Sequence, residues 1–170
     1  MFGLPLHPLI VHFPIVLSVL LPISVLVALW SIRKGSIPRR AWYAPLAFAA
    51  ALALSAFVAT ETGENEEDTV KPVVPKGAVH THEESAERFL VLSGVLVVVA
   101  VGGLLPGTLG RAARLTTAAG ALGLVAAGVQ VGHSGGTLVY RDGAASAYAT
   151  PAGPTISVTA VPSDNPSRSR

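Results

Sequence analysis

The sequence predicts an all-α integral membrane protein, a four-helix bundle with both termini extracytoplasmic, followed by a short C-terminal hairpin and a disordered tail. Three observations predict it. The first is composition: 51% of the 170 residues are hydrophobic, 13% are charged, and mean hydropathy is +0.57, whereas soluble domains carry about 25% charge. The second is the presence of four long apolar segments, 9–32, 41–60, 89–105 and 115–131. A helix needs roughly 20 such residues to cross a bilayer. The third is charge placement. Arg33, Lys34, Arg39 and Arg40 lie between the first two segments, and Arg111 and Arg114 between the last two, while all 10 acidic residues lie elsewhere. Positive charge in short loops marks the cytoplasmic side.

Taken in order, these segments give spans of about 8–32, 41–61, 82–106 and 112–133, in one membrane domain over 1–143 followed by a tail over 144–170. The first segment is read as a retained span and not a signal peptide: no Lys or Arg precedes it, its positive charges follow it, and it is too long. Pro8 suits a first helical position after His7. Pro14 and Pro22 within the span are tolerated where neighbouring helices satisfy the freed carbonyls. Trp30, Trp42 and Tyr43 sit where an aromatic belt forms. The stretch 61–79 is acidic, then proline-spaced, and reads as an outer loop. Thr81 and Glu84 are spaced as a capping box, which places the start of span three near His82. Span four holds Gly120, Gly123, Gly128 and Gly132 and is expected to be the most buried helix. Beyond it, Gly135 and Gly136 end the helix, Thr137 to Tyr140 reads as a short strand, and Asp142-Gly143 as a turn. The Ala-, Ser-, Pro- and Thr-rich remainder reads as disordered.

The chemistry collects at one end. All 5 histidines (His7, His12, His80, His82 and His133) fall at the outer ends of the spans, together with Glu61, Glu64, Glu83 and Glu87. Ionisable groups are costly in a membrane, so an imidazole at the mouth of a span points to function. His7 and His12 are five residues apart, about 140° around a helix, and cannot chelate as an i, i+4 pair. His12 is expected to face the bundle, His7 to orient or cap, and His80 to be solvated. The absence of cysteine removes disulfides, thiolate ligands and c-type haem attachment, and a lone Met at position 1 argues against a thioether copper site. No basic, aromatic-interleaved patch suggests nucleic acid. Gly132-His133-Ser134-Gly135-Gly136 fits G-x-S-x-G only literally, because a nucleophile elbow needs a strand before it and a helix after it. His82-Glu83 opens like H-E-x-x-H, but Ala86 holds the second histidine position.

Four spaced motifs carry a resemblance: Leu6-His7-Pro8 with Val11-His12-Phe13-Pro14; Thr62-Gly63; His82-Glu83 with Ala86; and Gly132-His133-Ser134-Gly135-Gly136 with Leu138-Val139-Tyr140 and Gly143. Over roughly residues 4–143 the sequence resembles the DUF2231 family of bacterial multispan membrane proteins. Related domains share chains with cytochrome c or Rieske modules, so the resemblance implies membrane redox work carried out with a redox partner protein.

The leading expectation is a small b-type haem or metal-binding electron-transfer subunit of the bacterial inner membrane, not an enzyme in its own right. His12 and His133 are the expected cofactor ligands, with His82 as the third candidate. A Zn- or Fe-type ion would instead recruit His12, His82 and His133 together with Glu61, Glu64 and Glu83. His7 and Ser134 would orient the ligands from behind. The alternatives are a structural or assembly protein that docks a partner, or forms homo-oligomers, through its polar outer cap, and a transporter of a small solute or proton. Transport needs polar residues at mid-depth, where only Ser18, Ser24, Ser55, Ser93 and Gln130 stand.

Overall fold

In the computed structural model, residues 6–148 are described. A short helix α1 (His7–Ile10) turns at Val11 into α2 (His12–Arg33), followed by α3 (Pro38–Val70), α4 (Lys76–Gly102), α5 (Gly107–Tyr140) and a 3₁₀ turn, Ala144–Tyr148. The long helices run up and down in a closed ring: α2 packs on α3 and α5, and α4 packs on the same two. All four are long and apolar enough to cross a membrane.

The helices are built inside-out relative to a soluble bundle. The buried faces are lined with small and polar side chains, among them Ala49, Ala56, Ala100, Ala121, Ser18, Ser93 and Thr117, around a few large ones such as Leu21, Leu52 and Phe89. Large aliphatic groups, including Leu26, Val27, Leu54, Val91 and Val98, point outward and exposed. Lipid solvates such a surface, and small residues let helices approach closely where no hydrophobic force drives them together. The buried hydroxyls donate to their own helices: Ser18 to Ile15 O, Ser93 to Leu90 O and Thr117 to Ala113 O.

Buried positions recur in steps of three and four residues: Pro14, Ser18, Leu21, Val25 and Ala28 on α2; Trp42, Pro45, Ala49, Leu52, Ala56 and Ala59 on α3; Gly110, Arg114, Thr117, Ala121 and Leu124 on α5. A 3.5-residue repeat keeps one face of each helix on its neighbours along its whole length. The α3 helix buries the largest share of its apolar stretch and α5 the smallest, so the glycine-rich fourth span is not the most buried one. Its glycines work locally. A Cβ at Gly120 would run into the Leu96 side chain, and one at Gly128 would touch Phe89.

At about 1.5 Å per residue, α3 and α5 are about 50 Å long against a hydrocarbon core of about 30 Å. The excess lies at one end, because residues 34–37 and 103–106 join the helices tightly at the other, with Gly35 in the left-handed region at φ 102°. Most of the expected 61–79 loop is therefore helix, leaving only 71–75 as the connection. Glu67 and Lys71 pair at 2.7 Å across one turn of the extension. The α4 helix starts at Lys76, six residues before the predicted start, and the Thr81 hydroxyl donates to Gly77 O within the helix instead of capping it. The expected hairpin is also absent: there is no strand among the described residues, and α5 continues through Gly135 and Gly136 to Tyr140. Helical phase explains this, since Leu138 follows Val131 by two turns and packs with Val70 on a small outer cluster of Val74, Val79 and Ala144. The expected tail beyond residue 148 lies outside the described residues.

Candidate functional site

The 3.5-residue register, carried outward from the core, decides which polar groups meet. His12 stands two residues before buried Pro14, about 200° around the helix. It is exposed, and its ring reaches only Leu9 O of its own chain at 3.3 Å. His7 lies two turns before Pro14 and returns to the bundle face, where α1 packs on α3. On α5, His133 is two positions past Val131 and exposed, while Ser134 and Gly135 turn inward. The expected pairing of His12 with His133 is therefore replaced by another. His82, two turns before buried Phe89, meets His7 with ring centroids 6.2 Å apart and planes at 80°.

Both rings are held from behind. The His7 ring reaches Ala59 O through Nδ1 at 2.9 Å, with the Thr62 hydroxyl at 3.4 Å. A carbonyl only accepts, so Nδ1 carries the hydrogen. The His82 Nδ1 lies 2.9 Å from Ser134 Oγ, whose own hydrogen goes to Val131 O at 2.9 Å. Ser134 Oγ therefore accepts, and the His82 hydrogen is again on Nδ1. In the neutral form of either ring Nε2 is then the nitrogen without a hydrogen, and the ring contacts among the described residues run through Nδ1. Tying Nδ1–H to a backbone or hydroxyl oxygen is how proteins fix the tautomer and orientation of a ligating imidazole. Two glycines make the arrangement fit. A Cβ at Gly63 would lie 3.1 Å from His7 Cε1, and one at Gly135 would lie 3.0 Å from His82 Cε1.

Glu66 closes this end. Its carboxylate accepts the His7 backbone N–H at 3.1 Å and the Tyr148 hydroxyl at 2.9 Å, tying the first and last described turns to α3. Partial burial, with the carboxylate second, pushes the Tyr148 hydroxyl up to about 12. Outside this clasp, Glu83 lies beside Glu67 and Lys71, and the Glu67 carboxylate holds the Lys71 ammonium above its usual range. Glu61 and Glu64 are exposed, off the inward sequence Ala59, Gly63, Glu66. Among the described residues, no three His, Asp or Glu are grouped so as to hold a metal ion. The six-residue set of His12, His82, His133, Glu61, Glu64 and Glu83 thus does not converge here, because four of the six (His12, His133, Glu61 and Glu64) are exposed. Thr62, Gly63, Glu66 and Tyr148 were missed as site residues. Extending the core spacing past Ala59 finds Gly63 and Glu66, while nothing in the sequence marks Tyr148.

The fold and its surface define a four-span membrane protein with a built polar cap at one end. Residues 3–147 match the family described as predicted membrane protein (DUF2231), and the chain belongs to that family. No curated protein and no solved structure matches it.

Proposed function

We propose that this protein is a membrane electron-transfer subunit that holds a b-type haem between His7 and His82 at the outer end of the bundle. The observation that carries the reading is the facing pair of imidazoles, each with Nδ1 tied back and Nε2 unbonded. The donor set discriminates between candidates. Zinc and non-haem iron sites take three or more protein ligands, and no such group is present among the described residues. Haem brings its own four equatorial nitrogens and asks the protein for one or two axial ones. His7 and His82, with ring centroids 6.2 Å apart, are the two residues that would hold it. Haem bound there would supply a one-electron couple.

In this reading Ala59 O and Ser134 Oγ orient the imidazoles, Gly63 and Gly135 leave room for them, and the Glu66 clasp with the Val74–Val79–Ala144 cluster shields them from water. The positive-inside rule puts this end outside the inner membrane, where a soluble redox partner protein would dock. Solute or proton transport is less well supported, because the mid-depth hydroxyls spend their hydrogens on their own helices.

The test is an optical spectrum of haem-supplied protein purified in mild detergent, oxidised and then dithionite-reduced. A stoichiometric Soret band with sharpened bands on reduction is expected. Haem-free protein under haem-replete conditions would overturn the proposal.

A further inference from the structure

At the opposite end, a cavity of about 1000 Å³ opens between the short connections, lined by Arg33, Arg39, Arg111 and Arg114. No carboxylate lines it, and the sequence holds none between residues 88 and 141 or before residue 61. Arg114 is 8% exposed. Its guanidinium donates from Nε to Gly103 O at 2.8 Å and from Nη2 to Leu105 O at 3.1 Å, and it lies 5.9 Å from the Trp42 ring. Those bonds use two of the five guanidinium hydrogens. Nη1 makes no hydrogen bond among the described residues, where no fully buried side-chain nitrogen lacks a partner, so Nη1 keeps some exposure. A buried cation with spare donors and no counter-charge is costly unless an anion completes it. The α3 and α5 helices both begin at this cavity, at Pro38 and Gly107, without side-chain caps, and helix N-termini add positive potential. Leu29 and Leu115 supply an aliphatic wall.

We propose that this cavity is a binding site for a phosphate-bearing anion, with the shape and wall of a site for an anionic phospholipid headgroup. Planar guanidinium groups match phosphate oxygens, and basic pockets between spanning helices suit anionic headgroups. The site stands on observations separate from the histidine pair, so either can fail alone.

The test is binding to delipidated full-length protein in neutral detergent, read by thermal shift and native mass spectrometry. The probes are phosphatidylglycerol, phosphatidylcholine and inorganic phosphate. Two equal-charge double variants are compared: Arg39→Gln/Arg111→Gln, which strips the cavity, and Lys34→Gln/Arg40→Gln, which removes two charges that do not line it. All four side chains are exposed, so folding should survive. Phosphatidylglycerol is expected to bind in preference to phosphatidylcholine, weakened roughly tenfold or more by the cavity variant and far less by the control. If inorganic phosphate shows that same pattern and the lipid does not, the site stands and its ligand is soluble. Equal weakening in both variants, or no preference for phosphatidylglycerol together with no phosphate binding, would overturn it.

Discussion

The two ends of the bundle handle polar groups in opposite ways. At the arginine end a single buried cation is locked by backbone carbonyls and an indole: Arg114 on Gly103 O and Leu105 O, with Trp42 donating its own N–H to Ala100 O at 2.8 Å. At the histidine end two imidazole rings are fixed on one nitrogen each and left open on the other. The first arrangement builds structure and leaves positive charge facing a cavity. The second leaves two imidazole rings 6.2 Å apart on neighbouring helices, each with one nitrogen free, and ligand chemistry asks a protein for such prepositioned donors. The same 3.5-residue register produces both, so what differs is the residue each helix places on the inward face as it leaves the membrane.

The largest expected effect lies at the locked end. Trp42→Ala removes a fully buried side chain and one of the hydrogen bonds that the Ala100 carbonyl accepts, leaving it that of the Gly103 N–H. It should cost about 3–5 kcal/mol in reversible denaturant unfolding in mixed micelles, with the histidine-end spectrum unchanged in whatever fraction stays folded.

Next comes the open end. Gly135→Ala drives a methyl against the His82 ring and should cost about 1–3 kcal/mol while weakening haem retention. Gly136→Ala, one residue on, meets open space and should be neutral or stabilising by up to about 1 kcal/mol, as expected for replacing a helical glycine. Equal effects from the two would remove the close-approach argument for Gly135.

The Glu66 clasp should give a smaller, pH-dependent effect. Tyr148 has its folded-state pKa raised to about 12, above the ordinary value near 10, so the folded state favours the protonated phenol. Its contribution is complete below pH 10 and is lost as pH rises through about 12. Tyr148→Phe should abolish that alkaline loss in thermal unfolding followed against pH. The smallest effects belong to His12→Ala and His133→Ala. Both rings are exposed, and each change should stay within about 0.5 kcal/mol.

The fold was largely legible because bilayer physics leaves few options: apolar length, helix punctuation by charge, and the arginine-bearing short connections were all readable from residues 9 to 131. The overhang at the histidine end was not. The acidic stretch 61–68 reads as a solvated loop, yet it continues α3, where the His7 ring packs close to Gly63 and the His7 N–H donates to Glu66. Glycines 135 and 136 read as a helix stop, whereas Gly135 serves close approach within the helix. The site was half legible. Composition pointed to the end where His7, His82 and Ser134 meet, but judging His12 by its apolar neighbours placed it facing the bundle, where the structure has it exposed. Phase from Pro14 places His12 outward and His7 inward. An apolar neighbourhood in a membrane helix marks lipid as readily as core, so phase and not neighbourhood carries the information.

The most direct test of the account compares reduced-minus-oxidised optical spectra of haem-supplied protein in four single variants, each confirmed monodisperse by size exclusion. The prediction is that His7→Ala and His82→Ala lose the bis-imidazole spectrum while His12→Ala and His133→Ala keep it. Loss of the spectrum in His12→Ala or His133→Ala, with His7→Ala and His82→Ala intact, would contradict it.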